Sequence, residues 1–379
     1  MLETKTSVYL RNYKPHKMAD KLEYTEQGWR YPVDRNRHHR ENNWDYKGKG
    51  IYHITLVVAE RKHLFGELTG DSADNARIEL NSFGKQVYYK IHDTPQYYRS
   101  KGYNLKILAL KVMPDHVHFV IYAVEPLPKS IGTVVRGIKS ACTSVFKRCY
   151  VGGDDTTEHG RRAPLLPIFV QYASIFAKNN SIWEQTPAGY HERVLHRYGQ
   201  LKNMIAYVKD NPRRLWLKKK FPAYFAVQRD VQYENLLFSA VGNLHLLESP
   251  LCAVHIRRRY SETEARDYMN NRIIAARNGA VLVGAFIGPK EKQVLEVLLK
   301  EHLPIIVLVP YSFSNYYKPT GEFMESCAQG RVLFLSQAPA DVNPHKRITR
   351  NECSTLNSIA ETMEENSMKL DKSFRREFL

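Results

Sequence analysis

The chain has 379 residues, and its 56 Lys and Arg against 39 Asp and Glu leave a formal net charge of +17. Hydrophobic residues make up 43%, enough to fill packed cores and to exclude a disordered polar chain. No apolar run reaches about 18 residues, so no transmembrane helix is expected, and the length suits two domains.

The first ten residues include Glu3 and Lys5 and no apolar segment, so no secretory signal is expected. Cys142, Cys149, Cys252, Cys327 and Cys353 lack CxxC spacing. A zinc ribbon and a disulfide framework are not expected, and a reducing cytoplasm, taken as prokaryotic, fits best. The positive charge is uneven. Residues 1–250 hold 38 basic and 24 acidic residues, whereas 251–379 hold 18 and 15. The excess concentrates in 101–150, with 8 against 2, and in 201–220, with 7 against 1. A basic first portion points to a polyanion such as nucleic acid.

In chain order, residues 1–48 are polar, basic and aromatic without a clear period, and read as an arm. Ile51–Ala59 is β-branched and predicts a buried strand. Ala73–His92 carries Ile78, Phe83, Val87 and Ile91 at helical spacing. Leu105–Val112 alternates as a strand, Met113-Pro114-Asp115 interrupts it, and His116–Ala123 is the next strand. Ser130 is a suitable N-cap for a helix with Ile131, Val134, Val135, Ile138, Cys142, Val145, Phe146 and Cys149 on its apolar face. Residues 151–180 read as an insertion. Tyr198–Asp210 predicts a helix striped by Leu201, Met204, Ile205 and Val208, ending before Pro212. The order strand, helix, strand, strand, helix, helix predicts an α+β sandwich on an antiparallel sheet.

From about residue 235 the pattern changes. Ala253–Ile256, Ala280–Phe286, Ile305–Pro310 and Val332–Leu335 are short apolar strands separated by helical stretches such as Glu291–Glu301. That alternation predicts a parallel, doubly wound sheet. Residues 221–240 read as the linker before a second domain over 241–379.

Chemistry concentrates in two places. In Pro114-Asp115-His116-Val117-His118-Phe119-Val120, strand alternation puts His116 and His118 on one face. Two imidazoles on a rigid strand make half of a metal site; two histidines on a solvated sheet face are the other reading. In Tyr207-Val208-Lys209-Asp210-Asn211-Pro212, Tyr207 and Asn211 share one side of the helix at the edge of its apolar stripe. An edge Tyr can reach a neighbouring groove, or can simply be amphipathic, with Asn211 capping the helix end.

Together these residues resemble a known family. The His-hydrophobic-His strand preceded by Met113-Pro114-Asp115, the strand Ile51-Tyr52-His53-Ile54-Thr55, and Tyr-Val-x-x-Asn-Pro downstream are similar to the single-tyrosine HUH transposases of the insertion-sequence 200/605 type. The REP-associated tyrosine transposases are the closest subgroup. The resemblance covers about 45–220, and it implies a ferredoxin-like HUH domain over 49–220 that nicks and rejoins single-stranded or hairpin DNA. It further implies Tyr207 as nucleophile, His116, His118 and Asn211 as metal ligands, and Mg²⁺ or Mn²⁺ as the metal. Tyr190 and Tyr198 lie nearby but lack the Asn-Pro context. The 151–180 segment departs from the family in length, which bears on whether the site forms within a monomer or across a homodimer.

Arg136, Lys139, Lys209, Arg213 and Arg214 are the candidate DNA contacts, and Trp183, Trp216 and Tyr190 the candidates for stacking on bases. Residues 241–379 distantly resemble the Rossmann-like domain of DNA-processing protein A. There Gly284-Ala285-Phe286-Ile287-Gly288-Pro289 could set a helix N-terminus against a phosphate, although it is neither GxGxxG nor a Walker A loop. Two other functions compete with the transposase: a domesticated DNA-binding regulator that no longer cleaves, and a metal-dependent nuclease using water. No membrane partner is expected.

Overall fold

The computed structural model describes residues 23–25, 28–30, 44–148, 180–184, 189–315, 317–339 and 348–377. Most of the 1–48 arm and of the 151–180 insertion lies outside them. The chain divides into two compact units, Met1–Trp216 and Leu217–Leu379. Both mix helices and strands, so the molecule is an α+β protein.

The first unit begins with the short antiparallel pair β1 (Glu23–Thr25) and β2 (Gly28–Arg30). Its main sheet contains β3 (Gly50–Val57), β6 (Leu105–Val112), β7 (His116–Ala123) and β8 (His191–Val194). The order is β6-β7-β3-β8, and every pairing is antiparallel. A side hairpin joins β4 (Gly66–Thr69) to β5 (Arg77–Leu80). The helices are α1 (Ser82–His92), α2 (Thr94–Arg99), α3 (Ile131–Phe146) and α4 (Gln200–Lys220).

Alternation along the strands sorts the side chains into two layers. Tyr52, Ile54 and Leu56 of β3 join Val117, Phe119 and Ile121 of β7 in the main core. Phe83, Val87 and Ile91 of α1 and Val134, Val135, Ile138 and Cys142 of α3 close that face. The opposite parity, Ile51 and Val120, packs with Leu195 and with Met204 and Val208 of α4. The sheet therefore lies between α1 with α3 on one side and α4 on the other. His53, Thr55, His116 and His118 have the parity of the α4 side.

Several expectations are corrected. The helix predicted over Ala73–His92 begins only at Ser82, because Arg77–Leu80 pairs as β5 and Ile78 lies opposite Leu68. Asn81 stops the strand: its Oδ1 accepts the Gly84 N–H at 2.8 Å and its Nδ2 donates to the Leu64 carbonyl at 2.9 Å. Ser130 precedes α3 but makes no side-chain cap. Helix α4 does not end before Pro212; it runs through it to Lys220. Pro212 removes one backbone N–H from the ladder, and on the residue before it the Asn211 Nδ2 donates to the Tyr207 carbonyl at 2.9 Å.

The second unit holds a six-stranded sheet in the order β11-β12-β13-β14-β10-β9. Strands β11 (Leu251–Ala253), β12 (Val281–Gly284), β13 (Ile305–Leu308) and β14 (Val332–Ser336) are parallel. Strands β9 (Gln228–Tyr233) and β10 (Leu236–Gly242) complete it antiparallel. The stretch 221–240, read as a linker, thus carries α5 (Pro222–Phe225) and most of a hairpin of this sheet. Helices α6 (Glu262–Arg277) and α7 (Pro289–Lys300) pack in one core through Ile273, Ala276, Val294 and Leu298, and α8 (Glu322–Ala328) follows β13. Helix α9 (Arg350–Glu377) covers the other face through Leu356, Ile359, Ala360 and Met363. The parallel strands follow one another without reversal, so right-handed crossovers put the connecting helices on one face. That differs from the doubly wound order expected.

Candidate active site

Strand register assembles the site. In the β7–β3 pairing, His118 lies opposite Thr55 and His116 opposite Val57; across β6, Lys111 lies opposite His118. Across β8, His191 lies opposite Thr55 and Arg193 opposite His53. Side chains directly opposite share a face, so Lys111, His118, Thr55 and His191 form one cross-sheet row. His53 and Arg193 lie in the next.

Helix α4 lowers Tyr207 onto these rows. Its ring meets His118 at a centroid distance of 5.5 Å and His53 at 6.1 Å, both edge-on. His116 and His118 are themselves edge-to-face at 4.7 Å. The expected Tyr207, His116 and His118 therefore come together, and Tyr207, partly buried, also packs against the cluster of Ile51, Val120, Met204 and Val208. Asn211 is buried one turn further along the same side. Tyr198 is fully exposed and Tyr190 is a core residue.

Each histidine of the HxH pair is fixed through Nδ1. His116 Nδ1 is 2.5 Å from Asp115 Oδ1. His118 Nδ1 is 2.9 Å from Thr55 Oγ1 and 3.1 Å from His53 Nε2. Burial tends to raise the Asp115 carboxyl, but its hydrogen bond to His116, with the charges of His116 and Arg61, brings it below the usual range. The His53 imidazole is pushed down to about 4, first by burial and then by the Arg193 charge, so at neutral pH it is uncharged and keeps an acceptor lone pair. Arg214 is buried with its guanidinium carbon 5.2 Å from the Tyr207 ring centroid. Burial draws its pKa down, against the opposing pull of Tyr207 and Asp210.

These contacts decide which atoms could hold a cation. With both Nδ1 atoms engaged, any metal bond from His116 or His118 has to use Nε2. A second hydrogen bond on the remote nitrogen is the usual support of a metal-ligating histidine. Asn211 uses its amide nitrogen on the Tyr207 carbonyl, so its oxygen is the atom suited to a hard cation. Two imidazole nitrogens and one amide oxygen are a mixed donor set: imidazole suits borderline transition metals, and the amide oxygen suits a hard cation such as Mg²⁺ or Mn²⁺. Among the described residues, no group of three or more His, Cys, Asp or Glu is arranged to hold a metal ion.

The basic candidates divide. Lys209 is exposed on α4, and Arg213 is within 3.7 Å of Asp74 and 3.9 Å of Asp210. Arg214 is buried and turned against Tyr207. Arg136 and Lys139 belong to α3, which covers the opposite face of the sheet, so they are not brought to Tyr207. Arg136 is exposed and donates to Thr133, while Lys139 is turned in to the Gly189 carbonyl. Trp183 is a core residue that donates to the Lys139 carbonyl, and Trp216 donates to the Gly70 carbonyl.

Sequence reasoning missed His53, Thr55, Lys111, Arg193 and the supporting part of Asp115. Strand parity gave their faces, but only the pairing register brings them to the HxH pair. In the second unit, the N–H groups of Ile287 and Gly288 in the Gly284–Pro289 turn are taken by the chain's own carboxylate. The buried Glu291 carboxylate already accepts the N–H groups of Ile256, Ile287 and Gly288, at 3.3, 3.0 and 2.9 Å.

No family model matches the chain. An uncharacterised protein of Haemophilus influenzae is 21% identical over 188 residues, covering 46% of this chain and 89% of that protein. Among solved structures, a REP-associated tyrosine transposase bound to a REP hairpin aligns with 15% identity and a TM-score of 0.26, over 46% of this chain and 72% of that chain. The DNA-processing protein A of Helicobacter pylori aligns at 23% identity and 0.26, over 35% and 59%. A protein of Deinococcus radiodurans R1 assigned as a transposase aligns at 16% and 0.22, over 46% and 96%. At these TM-scores the likenesses fix neither the fold nor the activity of this chain. No helix among the described residues is long and apolar enough to cross a membrane.

Proposed function

We propose that the first unit is a single-tyrosine HUH nickase and strand transferase acting on single-stranded or hairpin DNA. The observation that carries this reading is the approach of Tyr207 to the histidines of the HxH strand, 5.5 Å between the Tyr207 and His118 ring centroids. The strand order β6-β7-β3-β8, all antiparallel, with its intervening helices supports the ferredoxin-like reading that the motif resemblance implies. The second unit, with its mostly parallel sheet, is an accessory domain.

In this reading the Tyr207 hydroxyl oxygen attacks the scissile phosphorus. An O–P bond forms, the bond to the 3′ oxygen breaks, the phenol gives up its proton and the departing 3′ oxygen takes one. The products are a 5′-phosphotyrosine and a 3′-OH, and the 3′-OH of another strand reverses the step without ATP. His116, His118 and Asn211 would hold a divalent cation, which when bound offsets charge on the phosphate oxygens. Arg214 keeps a desolvated positive charge beside the Tyr207 ring. Lys111 and Arg193, on the strands flanking the histidines, supply phosphate contacts that are sensitive to salt and indifferent to sequence.

The test incubates the protein with labelled single-stranded hairpin DNA and Mn²⁺ or Mg²⁺. A metal-dependent adduct that survives SDS and disappears in Tyr207→Phe supports the reading. Cleavage without an adduct, or an adduct retained in Tyr207→Phe, rejects it.

A further inference from the structure

We infer that His53, with Thr55, is a positioning residue of the Tyr207 site: the pair holds the ring of His118 in the tautomer that carries its proton on Nδ1. The inference rests on the proposed nickase reading for its purpose but on the β3–β7 register for its geometry.

His118 Nδ1 lies between two partners on the neighbouring strand. Thr55 is directly opposite, and its Oγ1 is 2.9 Å away. His53 is diagonal, one step along the same face, and its Nε2 is 3.1 Å away. The His53 and His118 rings stack with centroids 5.1 Å apart and planes 25° apart. The His53 and His118 side chains are buried and Thr55 is half-buried, so bulk water is kept from the His53–His118 contact.

The tautomers of the pair are coupled. If Nδ1 of His118 carries the proton, it donates to Thr55 Oγ1 and His53 Nε2, and His53 carries its own proton on Nδ1. Nε2 of His118 is then the nitrogen with the lone pair, the form a metal ligand or a proton acceptor needs. If the coupling ran the other way, His118 would carry its proton on Nε2 and could not ligate through that atom. His116 obtains the same tautomer by a different route, since Asp115 can only accept from its Nδ1. The two histidines of one motif are thus set by unlike partners, a carboxylate from the preceding residue and an imidazole–hydroxyl pair from the neighbouring strand.

The experiment reads the tautomers directly by long-range ¹H–¹⁵N NMR of the full chain, with the His118 signals assigned by their loss in His118→Asn. Mn²⁺ binding, followed by electron paramagnetic resonance, is the second readout. The expected wild-type result is a protonated Nδ1 and an unprotonated Nε2 on His118. In His53→Phe that preference is lost and Mn²⁺ binds roughly 10- to 100-fold more weakly, the usual effect of losing a supporting partner. His53→Gln, whose amide oxygen can accept the same bond, restores most of both. The inference is overturned if His118 carries its proton on Nε2 in the wild type. It is equally overturned if a folded His53→Gln and a folded His53→Phe both keep the wild-type tautomer and affinity. Should the wild type bind no Mn²⁺, the metal part of the proposed function fails, and the NMR result alone still decides the role of His53.

Discussion

Arg214 holds its guanidinium carbon 5.2 Å from the centre of the Tyr207 ring, in a buried position two turns along the same helix. A cation against an aromatic face is worth about 2 kcal/mol when both are desolvated. In the proposed attack, a neutral replacement removes the positive charge beside the phenol oxygen that becomes anionic as Tyr207 gives up its proton. Arg214→Gln is expected to slow single-turnover adduct formation by roughly 30-fold, the rate equivalent of about 2 kcal/mol. Arg214→Lys, which keeps the charge and loses the planar stack, should fall between. A folded Arg214→Gln with the wild-type adduct rate would remove Arg214 from the chemistry.

His53 makes the fold sensitive to mild acid. Its imidazole titrates near 4 in the folded chain, against an ordinary 6.5. Between those values the unfolded chain binds a proton that the folded chain refuses. The stabilising contribution is complete above about pH 6.5 and is lost as the pH falls towards 4, a change of about 3 kcal/mol. Urea unfolding at pH 7.5 and pH 4.5 measures the slope. The difference between the two pH values should shrink in His53→Gln, which has no such proton to refuse. Equal slopes in the two proteins would contradict this account.

How much of this was legible beforehand follows from the physics of each element. The alternation of β7 fixed the common face of His116 and His118, and the edge position of Tyr207 on its helix pointed to a groove. Both are local periodicities. His53 and Thr55 were visible only as two residues of one face of β3; their meeting with His118 depends on a register between strands about 60 residues apart, which no local pattern encodes. In the sequence alone, Arg214 reads as a DNA contact in the basic stretch that follows a helix ending before Pro212. With the helix continuing, positions 207 and 214 are seven residues apart and return to one side. Residues 73–80 read as helix because Ile78 is taken with Phe83, Val87 and Ile91, although Ile78 and Leu80 also alternate as a short strand does.

Gly84 tests the packing of α1 against the main core. A Cβ there would fall 2.0 Å from the Phe65 carbonyl oxygen, a backbone atom that cannot rotate away. Helix propensity alone favours Ala over Gly by about 0.5–1 kcal/mol, whereas forced repacking costs about 1–3 kcal/mol. The clash should win, so Gly84→Ala is expected to lower stability by at least about 1 kcal/mol in denaturant unfolding. A stabilised variant would show that the Phe65 backbone yields easily.

In the second unit, Glu291 occupies the place an external anion would take. Its carboxylate accepts three backbone N–H groups, two of them from the turn that opens α7, and hydrogen bonds to a charged acceptor contribute about 1.5–3 kcal/mol each. Glu291→Ala would leave those half-buried donors around a small vacancy at a helix N-terminus, where anions are favoured. The variant is expected to lose roughly 2–4 kcal/mol of stability. It should also acquire a dependence the wild type lacks: inorganic phosphate binding to the folded variant would raise its melting temperature in proportion to RT ln(1 + [L]/Kd). Differential scanning fluorimetry over a phosphate series, with chloride at matched ionic strength as control, separates this from general salt effects. A rise confined to Glu291→Ala means that the turn is an anion cradle filled by the chain's own carboxylate. Parallel curves for the two proteins mean that Glu291 serves only as a helix cap and that the turn has no anion-binding capacity of its own.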